Sequence, residues 1–338
     1  MSETIAQLAA AVRLPQVRPD WHFEPPCRPE PRVAVLVPCC NEEATICTVI
    51  ADFQASLPQA LIYVYDNNSR DRTVFAARAA GAVVRKEPLQ GKGHVVRRMF
   101  ADIEADIYLL VDGDDTYDAT AAPAMLKLLS EQQLDMVTAA RVTAQNGAYR
   151  PGHRLGNRVL SAMVRGVFGD RISDVLSGYR AFSRRFVKSF PALAGGFETE
   201  TEFTVHALEL AMPVAEIVAS YRERPAGSKS KLRTWSDGLR ILRTILVLVK
   251  EGRPLLFFAA TGTILLLAAL GIGGPVVMEF LRTGLVPKMP SAVLATGLVL
   301  LSSLTLVCGM VLDSVERGRK EMKRLAYLAI PRAPGTDV

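Results

Sequence analysis

Ile107-Tyr108-Leu109-Leu110-Val111 runs directly into Asp112-Gly113-Asp114-Asp115. A short apolar run of this kind, bounded by turn residues, predicts a strand buried on both faces. The acidic residues begin where the strand stops. The same grammar recurs upstream. Val33-Ala34-Val35-Leu36-Val37 ends at Pro38 and leads into Cys39-Cys40-Asn41-Glu42-Glu43. Leu61-Ile62-Tyr63-Val64-Tyr65 ends at Asp66-Asn67-Asn68-Ser69. Ala82–Val84 and Met136–Ala139 are further short strand candidates. Helices are expected between them. Asn41 is expected to cap one, with Glu42 and Glu43 in its first turn. Asp71 caps another that runs through Arg78, Gly91-Lys92-Gly93 opens a third, and a fourth covers Ala121–Ser130.

Strands alternating with helices predict an α/β fold: a mostly parallel sheet with helices on both faces. Ligands bind such sheets outside the carboxyl ends of the strands. The polar clusters after the first, second and fourth strands therefore converge on one edge. Asp112 and Asp114 flank a glycine, so both carboxylates can turn toward one hard cation, Mg2+ or Mn2+, shared with a phosphate. Asp115 and Asp118 either extend that cluster or solvate the loop. The competing reading is an acidic turn capping the next helix. Gly91-Lys92-Gly93 either presents Lys92 and backbone N–H groups to an anion at a helix start or forms a turn with a solvated lysine. The chain lacks G-x-x-x-x-G-K-[ST], which disfavours a P-loop ATPase, and lacks G-x-G-x-x-G after its first strand, which disfavours a dinucleotide dehydrogenase.

The 338 residues carry 40 Lys+Arg against 34 Asp+Glu, a net charge of +6, and 49% are hydrophobic. Mean hydropathy is +0.19, high for a wholly soluble enzyme. The apolar excess lies at the C-terminal end. Pro254–Met278 and Met289–Leu312 contain no charged residue, and each exceeds the ~20 residues that span hydrocarbon as a helix. They predict a transmembrane hairpin, its connection holding Glu279, Arg282 and Lys288. Lys and Arg crowd the outer flanks, from Lys229 to Arg253 and from Arg317 to Arg332, so both termini and the catalytic domain are expected in the cytoplasm. The juxtamembrane charge fits anionic lipid, and no nucleic-acid motif accompanies it. Trp235, Leu239, Leu242, Ile245, Leu246 and Val249 fall near helical spacing and predict an amphipathic helix in the interface plane. The five cysteines have no CxxC or zinc spacing and fit reduced thiols. The expected organisation is an N-terminal helix and Pro-rich linker (1–31), a catalytic domain (32–225), a basic loop with the interfacial helix (226–253), the hairpin (254–313) and a basic tail (314–338).

The motifs, in order and spacing, resemble family-two glycosyltransferases of the GT-A fold, above all polyprenyl-phosphate sugar synthases of the dolichyl-phosphate mannose synthase type. Val37-Pro38-Cys39-Cys40-Asn41-Glu42-Glu43 is similar to the family's nucleotide-contacting opening, and Asp66-Asn67-Asn68-Ser69-Arg70-Asp71 to its base-reading segment. Lys92 sits in a shared Gly-Lys-Gly, and Asp112-Gly113-Asp114 matches the metal-binding D-x-D. Ser177–Phe182, Gly196–Glu202 and Gly227–Leu232 resemble the elements near sugar, acceptor and phosphates. Two positions depart from the pattern: Thr116 stands where relatives often have Gln, and Cys40 where they often have Tyr.

The resemblance implies a metal-dependent, inverting transfer from a nucleotide sugar to a polyprenyl phosphate; the motifs do not fix the base, and UDP- is expected in preference to GDP-. It implies Asp112 and Asp114 as ligands of Mg2+ or Mn2+, with Pro38, Asn41, Glu42, Asp66, Lys92 and Asp112 around the donor nucleotide. A phosphate acceptor is already anionic and needs cations rather than a general base. Arg141, Arg154, Arg158, Lys229 and Lys231 are candidates to hold it, each equally readable as a surface charge. Arg180 and Glu200 complete the expected catalytic set, Glu200 orienting sugar hydroxyls; the other reading of Glu198, Glu200 and Glu202 is a helix start. The hairpin permits a homo-oligomer. A processive polysaccharide synthase is disfavoured, because no Q-x-x-R-W is present. A different glycan acceptor and an inactive sugar-nucleotide sensor remain the competing functions.

Overall fold

The computed structural model describes residues 31–142, 172–196, 198–222 and 254–331. The N-terminal segment before residue 31, Arg154, Arg158, Lys229, Lys231 and the amphipathic helix expected over Trp235–Lys250 lie outside the described residues.

Seven strands form one sheet: β1 (Val33–Cys39), β2 (Leu61–Asp66), β3 (Val83–Lys86), β4 (Ile107–Leu110), β5 (Met136–Val142), β6 (Arg180–Ser183) and β7 (Val214–Ser220), in the order β3-β2-β1-β4-β6-β5-β7. β1 pairs in parallel with β2 and β4, whereas β6 runs antiparallel to both β4 and β5. The described helices of this part are α1 (Ile46–Ser56), α2 (Thr73–Ala79), α3 (Lys92–Asp102), α4 (Ala122–Glu131), α5 (Arg184–Ser189) and α6 (Thr199–Glu209).

The central strands are apolar throughout because both faces are covered. In β1, Val35 and Val37 join Ile46, Val49, Ile50 and Phe53 of α1 on one side. Ala34 and Leu36 point the other way, onto Val96, Met99 and Phe100 of α3. β4 divides likewise, Leu109 to the first cluster and Tyr108 and Leu110 to the second. The second side is aromatic: Phe182 stacks on Phe186 at 4.6 Å, and Phe190 and Phe203 lie 4.9 Å apart. Burying one such side chain contributes about 1.5–3 kcal/mol.

β6 and β7 add two strands to those expected. β6 is only four residues long, starting at the Arg180 that ends Ser177-Gly178-Tyr179-Arg180, and is too short for alternation to show. β3 is shifted to Val83–Lys86, and β5 continues to Val142 because β7 pairs with it along its whole length. Asn41 is not the helix cap expected. α1 starts at Ile46, and Asn41 instead ties two loops: its N–H donates to Ser69 Oγ at 2.8 Å and its Oδ1 accepts from Arg70 N at 2.7 Å. Asp71 does serve the start of α2, accepting from Thr73 N at 3.0 Å.

Two long C-terminal helices follow, α7 (Pro254–Thr283) and α8 (Met289–Ala329), both long and apolar enough to cross a membrane. Both outrun the uncharged segments. α7 passes through Pro275, and α8 continues well past Asp313. They pack on small residues. Ala295, Ser302 and Gly309 are the buried positions of the apolar part of α8, one every seven residues, the spacing of a left-handed pair. Ser302 Oγ donates to Gly262 O at 2.8 Å, and a Cβ on Gly309 would meet Phe258 Cβ at 2.8 Å.

The charged end of α8 docks on the domain at the edge where β1, β4 and β5 begin. Lys323 pairs with Glu209 at 3.0 Å, and Tyr327 donates to Asp135 Oδ2 at 2.7 Å. Arg185 donates to Ile330 O at 3.0 Å and lies over the Tyr327 ring.

Candidate active site

The sheet order reverses between β1 and β4, and the loops leaving these strands open a cleft of about 600 Å³ at their carboxyl ends. Pro38, Asn41 and Glu42 line it from β1, Asn67 from β2, Lys92 and His94 from α3, Asp112 and Asp114 from β4, and Glu198 from the start of α6. The three polar clusters do converge.

The β4 loop is anchored from both sides. Val111 N donates to Leu36 O at 3.0 Å, and Thr45 Oγ1 donates to Gly113 O at 2.7 Å. Gly113 has no room for a side chain, since a Cβ there would lie 2.6 Å from Cys39 Sγ. Asp114 is buried and accepts from Thr116 Oγ1 at 2.6 Å, so the residue standing in the Gln position supports the second aspartate from behind. Asp112 lies against Gly178, where a Cβ would come within 2.5 Å of Oδ2. Gly178 is held by its N–H donating to Tyr117 Oη at 2.9 Å. Asp118 turns elsewhere and caps the following 3-10 turn, accepting from Thr120 N at 3.0 Å.

Lys92 bridges two carboxylates. Its Nζ is 2.5 Å from Asp112 Oδ1 and 2.6 Å from Glu200 Oε1. Burial alone would push the ammonium's pKa down, but Asp112 and Glu200 outweigh it and drive it well above the usual lysine range. Glu200 Oε2 is buried with no hydrogen-bond partner among the described residues. Glu202 serves elsewhere, accepting from Leu193 N at 2.9 Å and Ala194 N at 3.0 Å and so fixing the loop before α6. That loop packs on Gly91 and Gly93, leaving neither space for a Cβ. Gly91 also has φ +135°, a conformation that glycine adopts without strain.

Not every expected residue faces the cleft. Asp66 ends β2 as expected but is 3% exposed, accepting from Ser69 N at 3.1 Å. Its neighbour Asn67 reaches the cleft and holds the opposite rim: Nδ2 donates to Glu87 O and Leu89 O, and Oδ1 accepts from Gly91 N at 2.7 Å. Arg180, expected in the catalytic set, is fully buried and does not line the cleft. Its guanidinium donates to Ser177 O at 2.9 Å, Val175 O at 2.7 Å and Thr204 Oγ1 at 2.9 Å. Burial lowers its pKa to about 10. Its place is behind the Ser177–Gly178 turn that supports Asp112. Arg141 forms a two-pronged pair with Asp174, at 2.7 and 2.8 Å, and lies over the Tyr221 ring. His94 and Glu198 also line the cleft, although sequence reasoning gave His94 no role. A histidine one turn into a helix carries no local signal of what it faces.

The donor set suits a divalent cation of the Mg2+ or Mn2+ kind. Two carboxylates share the cleft floor, and an ammonium already stands between Asp112 and Glu200. Among the described residues no cluster of three His, Cys, Asp or Glu side chains gathers for a metal. Such cations commonly take one or two carboxylates and complete their shell with water and substrate phosphates.

A mixed sheet of this order, with an acidic loop at its switch point, is an α/β fold of the GT-A type. Residues 34–190 match the domain described as Glycosyl transferase family 2. The chain is 31% identical over 298 residues to Glycosyltransferase AglJ of Haloferax volcanii, covering 88% of this chain and 98% of that protein. It belongs to glycosyl transferase family 2 and is a glycosyltransferase. A dolichyl-phosphate hexose transferase of the same organism is 26% identical over 221 residues, 65% of this chain and 95% of that protein. Glucosyl-3-phosphoglycerate synthase of Mycobacterium tuberculosis, in complex with Mn2+ and UDP-glucose, shares the fold at TM-score 0.55 and 24% identity, covering 65% of this chain and 79% of that one.

Proposed function

We propose that this glycosyltransferase moves a sugar from a nucleoside-diphosphate sugar, UDP- in preference to GDP-, to a polyprenyl phosphate, with inversion at the anomeric carbon. The observation that carries the proposal is the joining of an Asp112–Asp114 cleft to a pair of long apolar helices, the second of which docks by its charged end on the same domain. The relative acting on dolichyl phosphate adds support for the acceptor, and the synthase crystallised with UDP-glucose for the donor. In this reading α7 and α8 form a membrane hairpin, and the Lys/Arg-rich flanks support a catalytic domain on the cytoplasmic side.

In the reaction an acceptor phosphate oxygen forms a bond to the anomeric carbon. The bond from that carbon to the donor diphosphate breaks, and its electron pair leaves with the nucleoside diphosphate. Asp112 and Asp114 would hold Mg2+ or Mn2+, which supplies charge neutralisation for the leaving diphosphate when bound. Lys92 adds a fixed positive charge beside Asp112. Asn41, Glu42 and Asn67 line the part of the cleft assigned to the nucleoside. Glu198 and His94 flank the opening assigned to the sugar. Glu200 acts through Lys92, and Arg180 through the Gly178 turn. Arg154, Arg158, Lys229 and Lys231 remain candidates for the acceptor phosphate. No general base is required, because the phosphate monoester is ionised at neutral pH.

Purified protein in lipid vesicles with polyprenyl phosphate, Mg2+ or Mn2+ and a panel of labelled sugar nucleotides tests this directly. Metal-dependent label in the lipid phase is expected, with the donor that gives it naming the sugar. Donor binding without lipid label would sink the polyprenyl reading and leave another acceptor or a sensor role.

A further inference from the structure

We propose that α8 is a rigid strut that sets the height of the catalytic cleft above a lipid surface; this rests on the polyprenyl-phosphate reading given above. α8 has 41 residues, about 61 Å at 1.5 Å per residue, of which hydrocarbon takes about 30 Å. The apolar part ends at Leu312, before Asp313. From Leu312 to Tyr327 the helix continues without a break, and this stretch measures about 22 Å. Its far end is gripped by several different contacts. Tyr327 bonds Asp135, Lys323 pairs with Glu209, Arg324 reaches Leu210 O, and Arg185 takes Ile330 O. These partners sit at the base of the sheet: Asp135 directly precedes β5, and Arg185 follows the base end of β6.

The cleft lies at the opposite edge. β5 rises from its base over seven residues, about 20 Å at 3.3 Å per step. A base held about 22 Å from the hydrocarbon boundary and a sheet about 20 Å tall place the cleft edge at the lipid headgroups when the cleft faces the membrane. β7, the last described strand before α7 in the sequence, ends at that same edge, where Tyr221 pairs with Tyr117. Leu193, 72% exposed beside the cleft, is an apolar side chain on the loop that would meet the headgroup region. A phosphate on a lipid has little freedom to leave the surface, so a cleft of fixed height meets it without a search in depth.

Seven helical residues inserted after Gly318, where an added Cβ would meet nothing within 4 Å among the described residues, lengthen the strut by about 10 Å and turn it by only about 20°. Two readouts are taken in vesicles: transfer to long-chain polyprenyl phosphate, and quenching by headgroup-labelled lipid of a fluorophore on Leu193→Cys. A third is transfer to a water-soluble short-chain phosphate in detergent. The insertion is expected to lower long-chain transfer at least tenfold and to reduce quenching, with short-chain transfer within twofold of the parent. Lys323→Glu is expected to lower long-chain transfer severalfold, and Lys323→Glu with Glu209→Lys to restore it. Unchanged quenching, unchanged long-chain transfer, or an equal fall with both acceptors overturns the strut. A parent that transfers to no lipid phosphate, but whose quenching still falls on insertion, overturns the acceptor reading and supports the strut geometry.

Discussion

Lys92 and Arg180 are both cations largely withdrawn from water, and they differ in what surrounds them. Lys92 stands between Asp112 and Glu200 on the wall of the cleft. Arg180 lies behind the same wall and donates to two carbonyls and a hydroxyl. A cation balanced by carboxylates can hand those carboxylates to another positive charge or turn to a diphosphate. One spent on carbonyls holds backbone in place and has no second partner to exchange for. Under the proposed function the contrast separates a residue of the reaction from a residue of the scaffold, although both stand in motif segments.

The largest effect should come from removing the carboxylates proposed to hold a metal, one of which pairs with Lys92. Asp112→Asn with Asp114→Asn is expected to lower transfer about 10³-fold or more, the scale of losing transition-state charge stabilisation, with the thermal midpoint little changed. Arg180→Met should do the reverse. Leaving Ser177 O, Val175 O and Thr204 without a donor is expected to cost about 3 kcal/mol in denaturant unfolding, while the fraction that folds keeps most of its turnover. If Arg180→Met instead lost turnover at full stability, Arg180 would belong with Lys92. Lys92→Met is expected to lower kcat about 10²-fold without a fall in stability comparable to that of Arg180→Met. Glu200→Gln, which leaves Lys92 its Asp112 partner, should cost about tenfold, read from kcat at saturating donor.

The smallest effect at neutral pH concerns a third buried base. Burial, with Lys323 nearby, drops the His206 pKa from 6.5 to about 3. In the unfolded chain the ring takes a proton near its ordinary pKa, whereas in the folded domain it does not. Its contribution to stability is therefore flat above about pH 6.5 and is lost as pH falls below that, by up to about 1.4 kcal/mol per unit. His206→Gln should match the parent at pH 7.5 and lose stability less steeply between pH 6 and 4. Parallel acid curves would show that the ring is protonated in the fold.

The strand ends were legible because burial on both faces writes an uninterrupted apolar run, and the acidic residues that follow have nowhere to be but the sheet edge. Asp112, Asp114, Lys92, Asn41 and Glu42 line one cleft at that edge. The pattern could not tell Asp66 from Asn67. Which of two adjacent polar residues faces the cleft depends on a loop whose shape is set by Ser69 and by the distant rim at Glu87–Gly91. Nor could a motif reveal that Arg180 points away, since strand alternation decides the side and β6 is too short to display it. The docking of α8 was hidden for another reason. Lys323 and Arg324 look like juxtamembrane charge until Glu209 and Leu210 are seen beside them.

Asn41, Asn68 and Asp115 each hold a left-handed backbone, with φ of 54°, 63° and 56°. They sit one to each of the loops that leave β1, β2 and β4. For residues with a Cβ this conformation is less favourable, by about 1–2 kcal/mol in general and less for Asn and Asp. The tension is thus built in at folding, and the rim is already bent when a nucleotide arrives. Donor binding should therefore proceed with a small loss of backbone disorder, and a calorimeter should record little entropy opposing it.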